Sequence, residues 1–412
     1  MGTTEVALSM AGAQAGAHRW KVLGVGVAAN ASFSAAAAGI PTTAVWMRSD
    51  YHLSTAELGV ALGSLGLGVA LSELPWGMLT DRWGERPVLL TGLAGMAAML
   101  AAMAGFVVPT AGGVPTLSWL AAAMCAVGLL GGSVNGSSGR AVMAWFRDGE
   151  RGLAMSIRQT AVPLGGGLGA SMLPWLAASH GFAAVFAVLG GLGAVSAGFA
   201  WRWLHEPPLA GAASTVPSPG ATPGLLRDAT VWRVVIGIGV LCVPQFAVLT
   251  FGAVFLHDLA HLGVAAISAT MVAVQTGAMA MRVWSGRFTD LRGNRRAYLR
   301  GSTLVAAASF VALALAVHLA LHATMLAAMI ALAGICVSAW HGVAYTELAT
   351  LAGTSRAGTA LGLANTLVYA GFFVTPLVIP HLLIAGSWVT VWMAAGLCAL
   401  VTWPLFPRAS RR

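Results

Sequence analysis

The chain has 412 residues, of which 58% are hydrophobic and only 8% charged, with a formal net charge of +9 and a mean hydropathy of +0.81. Soluble chains carry about 25% charged residues, so this composition excludes a water-soluble domain and makes a bilayer the natural host. The four cysteines (Cys125, Cys242, Cys336 and Cys398) fall singly in four apolar runs, a spacing that suits neither a disulfide framework nor a metal site.

A helix needs roughly 20 apolar residues to cross the hydrocarbon core. Such runs recur near 20–46, 54–79, 87–108, 117–146, 154–178 and 182–204, then near 232–256, 264–288, 298–320, 323–349, 358–382 and 385–406. Ahead of them, residues 1–19 lack the charged-then-apolar order of a signal peptide and form a tail. Between the sixth and seventh runs, His205 to Asp228 holds five prolines, which favour extended, unpacked chain. The expected class is an all-α integral membrane protein of twelve transmembrane helices. Its parts are a tail (1–19), a six-helix bundle (20–204), a linker (205–230), a second six-helix bundle (231–406) and a tail (407–412).

Lys and Arg in excess mark the cytoplasmic side. With the N-terminus inside, 18 of the 22 basic residues fall in inner loops and tails, Arg48 alone falls outside, and Arg140, Arg158 and Arg282 lie within runs. Both termini are therefore expected in the cytoplasm. The same distribution accounts for the net charge without nucleic acid, since no basic run with interleaved aromatics occurs. A single lysine, Lys21, beside abundant Ala and Gly suggests a bacterial chain and hence the inner (plasma) membrane.

After the second run comes GMLTDRWGER, and after the eighth GRFTDLRGNRR. Gly77, Thr80, Asp81, Gly84 and Arg86 return as Gly286, Thr289, Asp290, Gly293 and Arg295, an offset of 209. A second echo pairs Trp145–Ile157 with Ser355–Leu363, Gly152 matching Gly358 and Ala154 matching Ala360 at an offset of 206. Two six-run halves, each with a G-x-x-x-D-x-x-G-x-R loop after its second run, resemble the major facilitator superfamily over nearly the whole chain. That resemblance implies a secondary transporter working by alternating access, and a monomer is the family's usual state. It implies loops that act as a latch between two states, with spans 1, 4, 7 and 10 on a central cavity, 2, 5, 8 and 11 flanking it, and 3, 6, 9 and 12 facing lipid.

Physical chemistry gives the latch residues roles. Gly77 and Gly286 permit close helix approach. Asp81 and Asp290 can accept from backbone donors near helix ends. Arg86 and Arg295 can meet acids or helix C-terminal carbonyls, with Arg82 beside them. The plainer alternative is that these loops only fix topology. Arg140 shares a stripe with Gly128, Gly132 and Gly136 and is placed with the gate. Arg158 and Arg282 either belong to the gate or extend to the interface. Glu73 and Arg282, matched at the 209 offset, are expected to pair across the inner gate.

Six of the eight Asn and Gln residues (Asn30, Asn135, Gln159, Gln245, Gln275 and Asn365) lie on runs 1, 4, 5, 7, 8 and 11, and none on 3, 6, 9 or 12. Carboxamides are costly against lipid, so the distribution predicts a polar central pathway. The candidate substrate contacts are Asn30, Phe33, Asn135, Gln245, Gln275, Trp340, His341, Tyr345 and Tyr369; each carboxamide serves equally as an interhelical hydrogen-bond partner. His341 matches Asn135 at the 206 offset and is also the candidate proton carrier, protons being the candidate coupling ion. No acid is placed at mid-membrane: Glu73 and Glu347 fall near inner ends and Glu57 near an outer one. The fifth-run G-P-x-x-G-G signature of drug antiporters is not met at Val162-Pro163-Leu164-Gly165-Gly166, and their fourth-run arginine is Gly132 here. A small organic anion or polar metabolite is the expected cargo, with multidrug or antibiotic efflux the alternative. A membrane enzyme or scaffold is remote, because no catalytic constellation, metal site or cofactor motif is present in the sequence.

Overall fold

The computed structural model describes residues 2–146, 148–205, 228–353 and 357–408. Among these, the regular structure is helical, apart from a single bridge between Thr110 and Gly113. Ten helices are long and apolar enough to cross a membrane. One of them, Ala154–Trp203, holds Gly181 at φ 72°, a left-handed angle that glycine adopts readily. Gly165 lies against Ala31 while Ser196 donates to the Ala28 carbonyl, so positions about fifteen residues either side of Gly181 return to one depth. That element therefore makes two crossings, and the shorter apolar helix Trp388–Val401 completes twelve.

The crossings are span 1 (His18–Asp50), span 2 (Thr55–Trp83), span 3 (Glu85–Phe106), span 4 (Leu117–Trp145), spans 5 and 6 (154–180 and 182–203), span 7 (Ala229–Asp258), span 8 (Val264–Arg292), span 9 (Arg295–His318), span 10 (Ala323–Ala352), span 11 (Thr359–Ala385) and span 12 (Trp388–Val401). Each overlaps one expected run. The helix leading into span 1 begins at Gly2, ahead of the start expected near residue 20. The expected linker lies almost wholly in 206–227, outside the described residues, as do parts of the Trp145–Ile157 and Ser355–Leu363 echoes.

Local chemistry sets the helix ends. Ser54 and Glu57 form a reciprocal capping box at the start of span 2, Asp228 caps span 7, and Ser387 caps span 12. Spans 2 and 8 end at Gly84 (φ 86°) and Gly293 (φ 62°), where any other residue would be strained. This is the physical reason that both copies of the loop keep a glycine there. The face carrying these loops is called the basic face below.

Within each half, small residues let backbones touch. A side chain on Gly68 would meet Cys125 of span 4, and one on Gly128 would meet Leu65 of span 2. Between the halves, Gly59, Gly63 and Gly66 of span 2 lie against the Phe372–Pro376 backbone of span 11, and Gly166 of span 5 lies against Gln275 of span 8. Gly77 and Gly286 were expected to provide such contacts, yet a Cβ at either meets no atom within 4 Å. Close packing instead falls farther from the basic face, where the two halves touch.

Two spans break at mid-membrane. Span 4 is divided at Gly132, between Leu117–Gly131 and Ser133–Trp145. Span 10 is divided between Cys336 and His341. The interruptions lie about 206 residues apart and immediately precede Asn135 and His341. Broken helices expose backbone groups at depth and commonly border transport sites.

Candidate functional site

A layer of polar side chains crosses the bundle at the level of these breaks. In the first half, Arg158 of span 5 donates through one terminal nitrogen to Ser138 Oγ at 3.0 Å, Asn30 Oδ1 at 3.3 Å and the Asn135 carbonyl at 3.4 Å. Asn30 in turn donates to Ser138 Oγ and to the Gly26 carbonyl. In the second half, Tyr345 donates to Asn365 Oδ1 at 2.8 Å. Two bonds then join the halves: Asn135 donates to the Tyr369 hydroxyl at 3.0 Å, and Asn365 donates to Glu73 Oε1 at 3.2 Å.

Several polar atoms of this layer are buried without a protein partner: Glu73 Oε2, Arg158 Nε, Gln245 Oε1, Arg282 Nε and Trp340 Nε1. Buried polar groups are nearly always satisfied, so a cluster of exceptions marks a place arranged for a visitor. Charge pairing is incomplete as well. Among the described residues, Arg158 is bonded to neutral groups and Arg282 has no carboxylate partner. Glu73, the acid of this layer, accepts from Asn365. Two guanidinium groups, one from each half, thus lie in a layer whose described acid, Glu73, bonds neither of them.

Accessibility divides this layer from its two sides. From Asn135 a reachable stripe runs down span 4 through Gly136 and Arg140 to Met143, which is 41% exposed. The matching stripe on span 10 runs from His341 through Gly342 and Thr346 to Thr350. Both lead toward the basic face. On the opposite side, Thr43, Ala44 and Met47 of span 1 and Phe251, Ala253 and Phe255 of span 7 are 0% exposed. There Arg48 forks onto Asp258 at 2.6 Å on both arms, tying span 1 to span 7.

At the basic face the repeated loops make their own bonds. Asp81 accepts from Arg140 at 2.8 Å, and the same guanidinium reaches the Thr80 carbonyl at 2.7 Å and lies 3.6 Å from Glu85. Arg86 donates to the Trp201 carbonyl at the end of span 6, and Asp290 accepts from Arg295. Arg296 pairs with Glu347, tying the second loop to span 10.

Residues 26–376 match the model of the Major Facilitator Superfamily. The chain belongs to that superfamily. An uncharacterized MFS-type transporter of Mycobacterium tuberculosis is 31% identical over 360 residues, which cover 86% of this chain and 77% of that protein. A probable galactarate/D-glucarate transporter of Escherichia coli K12 is 30% identical over 162 residues, 39% of this chain and 35% of that protein. Among solved structures, a D-xylose–proton symporter superposes with a TM-score of 0.73 at 16% identity, covering 94% of this chain and 98% of that one. A bacterial homologue of the human lysosomal transporter Spinster, described as inward-facing and unoccupied, gives 0.70 over 94% of both chains.

Within this superfamily fold, the sequence-derived candidates separate into three groups. Asn135, Tyr345, Tyr369 and His341 lie in the central layer on reachable positions. Gln245 and Gln275 sit beside it, nearly buried. Phe33 packs onto Gly131, Trp340 is fully buried, and Asn30 is engaged with Arg158, so these three build the walls and present no free surface. The expected Glu73–Arg282 pair does not form. The placement of Glu73 near an inner end is also corrected: span 2 continues to Trp83, ten residues beyond it, or about 15 Å of helix. Glu73 is an embedded acid of the central layer. Arg158 does not extend to the interface; it is 5% exposed and bonded inward. Asn365, a carboxamide of span 11 outside the expected contacts, joins this layer by bonding Tyr345 and Glu73. Its signal was the offset of 207 that matches it to Arg158.

Proposed function

We propose that the protein is a secondary transporter that carries a small organic anion across a bacterial plasma membrane by alternating access. One observation carries this reading: Arg158 and Arg282, one from each half, lie in the central layer with a buried Nε unpartnered on each and, among the described residues, no carboxylate bonded to either, so a bound carboxylate would supply the missing partner. Arginine suits that task, since its planar fork matches a carboxylate. Asn135, Tyr345, Tyr369, Gln245 and Gln275 supply neutral donors and acceptors, and the galactarate/D-glucarate transporter resemblance supports a hydroxylated acid as cargo. The basic face is assigned to the cytoplasm by its arginines, which makes the structure the state open inward and closed outward. Arg140, Asp81, Arg86 and their counterparts then act as the inner gate.

For coupling, Glu73 displaces His341 as the proton carrier. A coupling proton must change a contact between the halves, and Glu73 makes one with Asn365, whereas His341 Nδ1 bonds the Ser338 carbonyl within its own span. Efflux of lipophilic cations is the second reading, favoured by the unpartnered oxygen of Glu73.

The deciding experiment is thermal stability of the purified protein with galactarate or with tetraphenylphosphonium. A ligand at a hundred times its Kd adds about 2.7 kcal/mol to the folded state. A rise with galactarate that disappears in Arg158→Gln and Arg282→Gln supports the anion reading. A rise with the cation alone, lost in Glu73→Gln, replaces it with efflux.

A further inference from the structure

Arg48, the basic residue that breaks the sidedness of the others, is not used by the central layer. It and Asp258 lie 210 residues apart, almost the repeat offset, so their fork joins near-equivalent ends of spans 1 and 7. Asp258 also bonds His257 at 2.8 Å. Beside the fork is an open surface pocket of about 530 Å³, lined by Trp46, Arg48, Ser49, His52 and His257 among others, with Asp258 bonded to two of these, Arg48 and His257. That volume falls within the range of small-molecule sites. One aromatic face, one permanent cation and two histidines are the furnishings of an anion site.

We propose that this vestibule is an external anion station in which Arg48 receives the carboxylate of an arriving organic anion. Asp258 is the tethered carboxylate that occupies the same fork while the face is shut. The inference rests on the anion reading above and on the orientation given there. Its chemistry is an exchange of like for like. Arg48 keeps two charge-assisted bonds whether the carboxylate belongs to Asp258 or to a ligand. A tethered partner acts at an effective concentration on the order of millimolar or more, so dilute anions do not displace it until the spans separate. Arrival of the anion thus replaces the bond that holds the outer face closed, and docking favours opening.

Ser49→Cys supplies a reporter in the cavity wall, labelled on intact cells with a membrane-impermeant maleimide against the parent chain as background. Asp258→Asn frees Arg48 and Arg48→Gln removes it; Ser49 is exposed in the closed state, so the reporter labels in each background and the readout is protection by ligand. Succinate and galactarate serve as the probes. Asp258→Asn is expected to be protected at concentrations about tenfold lower than Arg48→Gln, with Arg48→Lys between them. Equal protection in the two variants, or none in either, would make Arg48 a latch alone and overturn the station. Arg158→Gln added to Asp258→Asn should leave protection intact; its loss would trace the effect to the central layer and also overturn the proposal. Protection that persists where galactarate gives no thermal shift would uphold the station while removing the anion cargo.

Discussion

Arg158 shows how a buried cation is held without an acid touching it. Three neutral oxygens, from Ser138, Asn30 and the Asn135 backbone, accept from one terminal nitrogen and fix the plane of the guanidinium. Asn30→Ala removes one acceptor and unties Ser138, which should cost about 1–3 kcal/mol and lower the melting temperature of the purified protein. Arg158→Lys should not restore anion stabilisation, because an ammonium on a flexible stem cannot reproduce the planar fork. Glu73 makes the converse case. Asn365 donates to one of its oxygens, and a glutamine offers the same carbonyl, so Glu73→Gln should change stability by no more than about 1 kcal/mol. Transport measured against pH should then lose its dependence if Glu73 carries the coupling proton; an unchanged profile would return that role to His341. Sequence placed the carboxamides and tyrosines of this layer, because polarity inside an apolar run is visible without coordinates. It misplaced Glu73, because hydropathy ends span 2 near residue 79 while the helix continues to Trp83, and depth was counted from the wrong end.

For the elements, the glycines divide by what stands beside them. Gly84 and Gly293 sit at positive φ, and the repeated loop keeps them for backbone reasons that periodicity alone reveals. Gly77 and Gly286 occupy the same motif, yet neither has a neighbour to accommodate. Gly77→Ala should therefore stabilise by about 0.5–1 kcal/mol through helix propensity. Gly59→Ala should do the reverse, because its methyl group would collide with the Pro376 carbonyl across the two halves. A cost of about 1–3 kcal/mol is expected, borne by the state in which these two spans touch. Comparing the melting temperatures of the two variants checks both signs at once. The mid-span breaks at Gly132 and before His341 were the least legible elements. A glycine inside an apolar run looks the same whether it lets helices touch or interrupts one, and only the tertiary packing separates the two.

Across the whole molecule, the repeat, the sidedness of arginine and the count of crossings were all legible, because each is a property of the bilayer more than of particular contacts. Which state the halves adopt was not, since both states keep every span and differ only in which ends touch. Here Thr43, Ala44 and Met47 of span 1 and Phe251, Ala253 and Phe255 of span 7 are at zero exposure, and Arg48 forks onto Asp258 beyond them, while spans 4 and 10 expose stripes down to the basic face. A cysteine at Thr346 or Thr350 should thus react with an impermeant thiol reagent added to inside-out vesicles, and one at Thr43 should stay unlabelled from either side. Asp258→Asn should change that balance, raising labelling at Thr43 from the outside and lowering it at Thr346 from the inside, because one set of ends opens as the other closes. If Thr43 becomes reactive while Thr346 is unaffected, the halves do not move as rigid bodies about the central layer. Alternating access would then need a local opening near span 1 in place of a rocking of the two bundles.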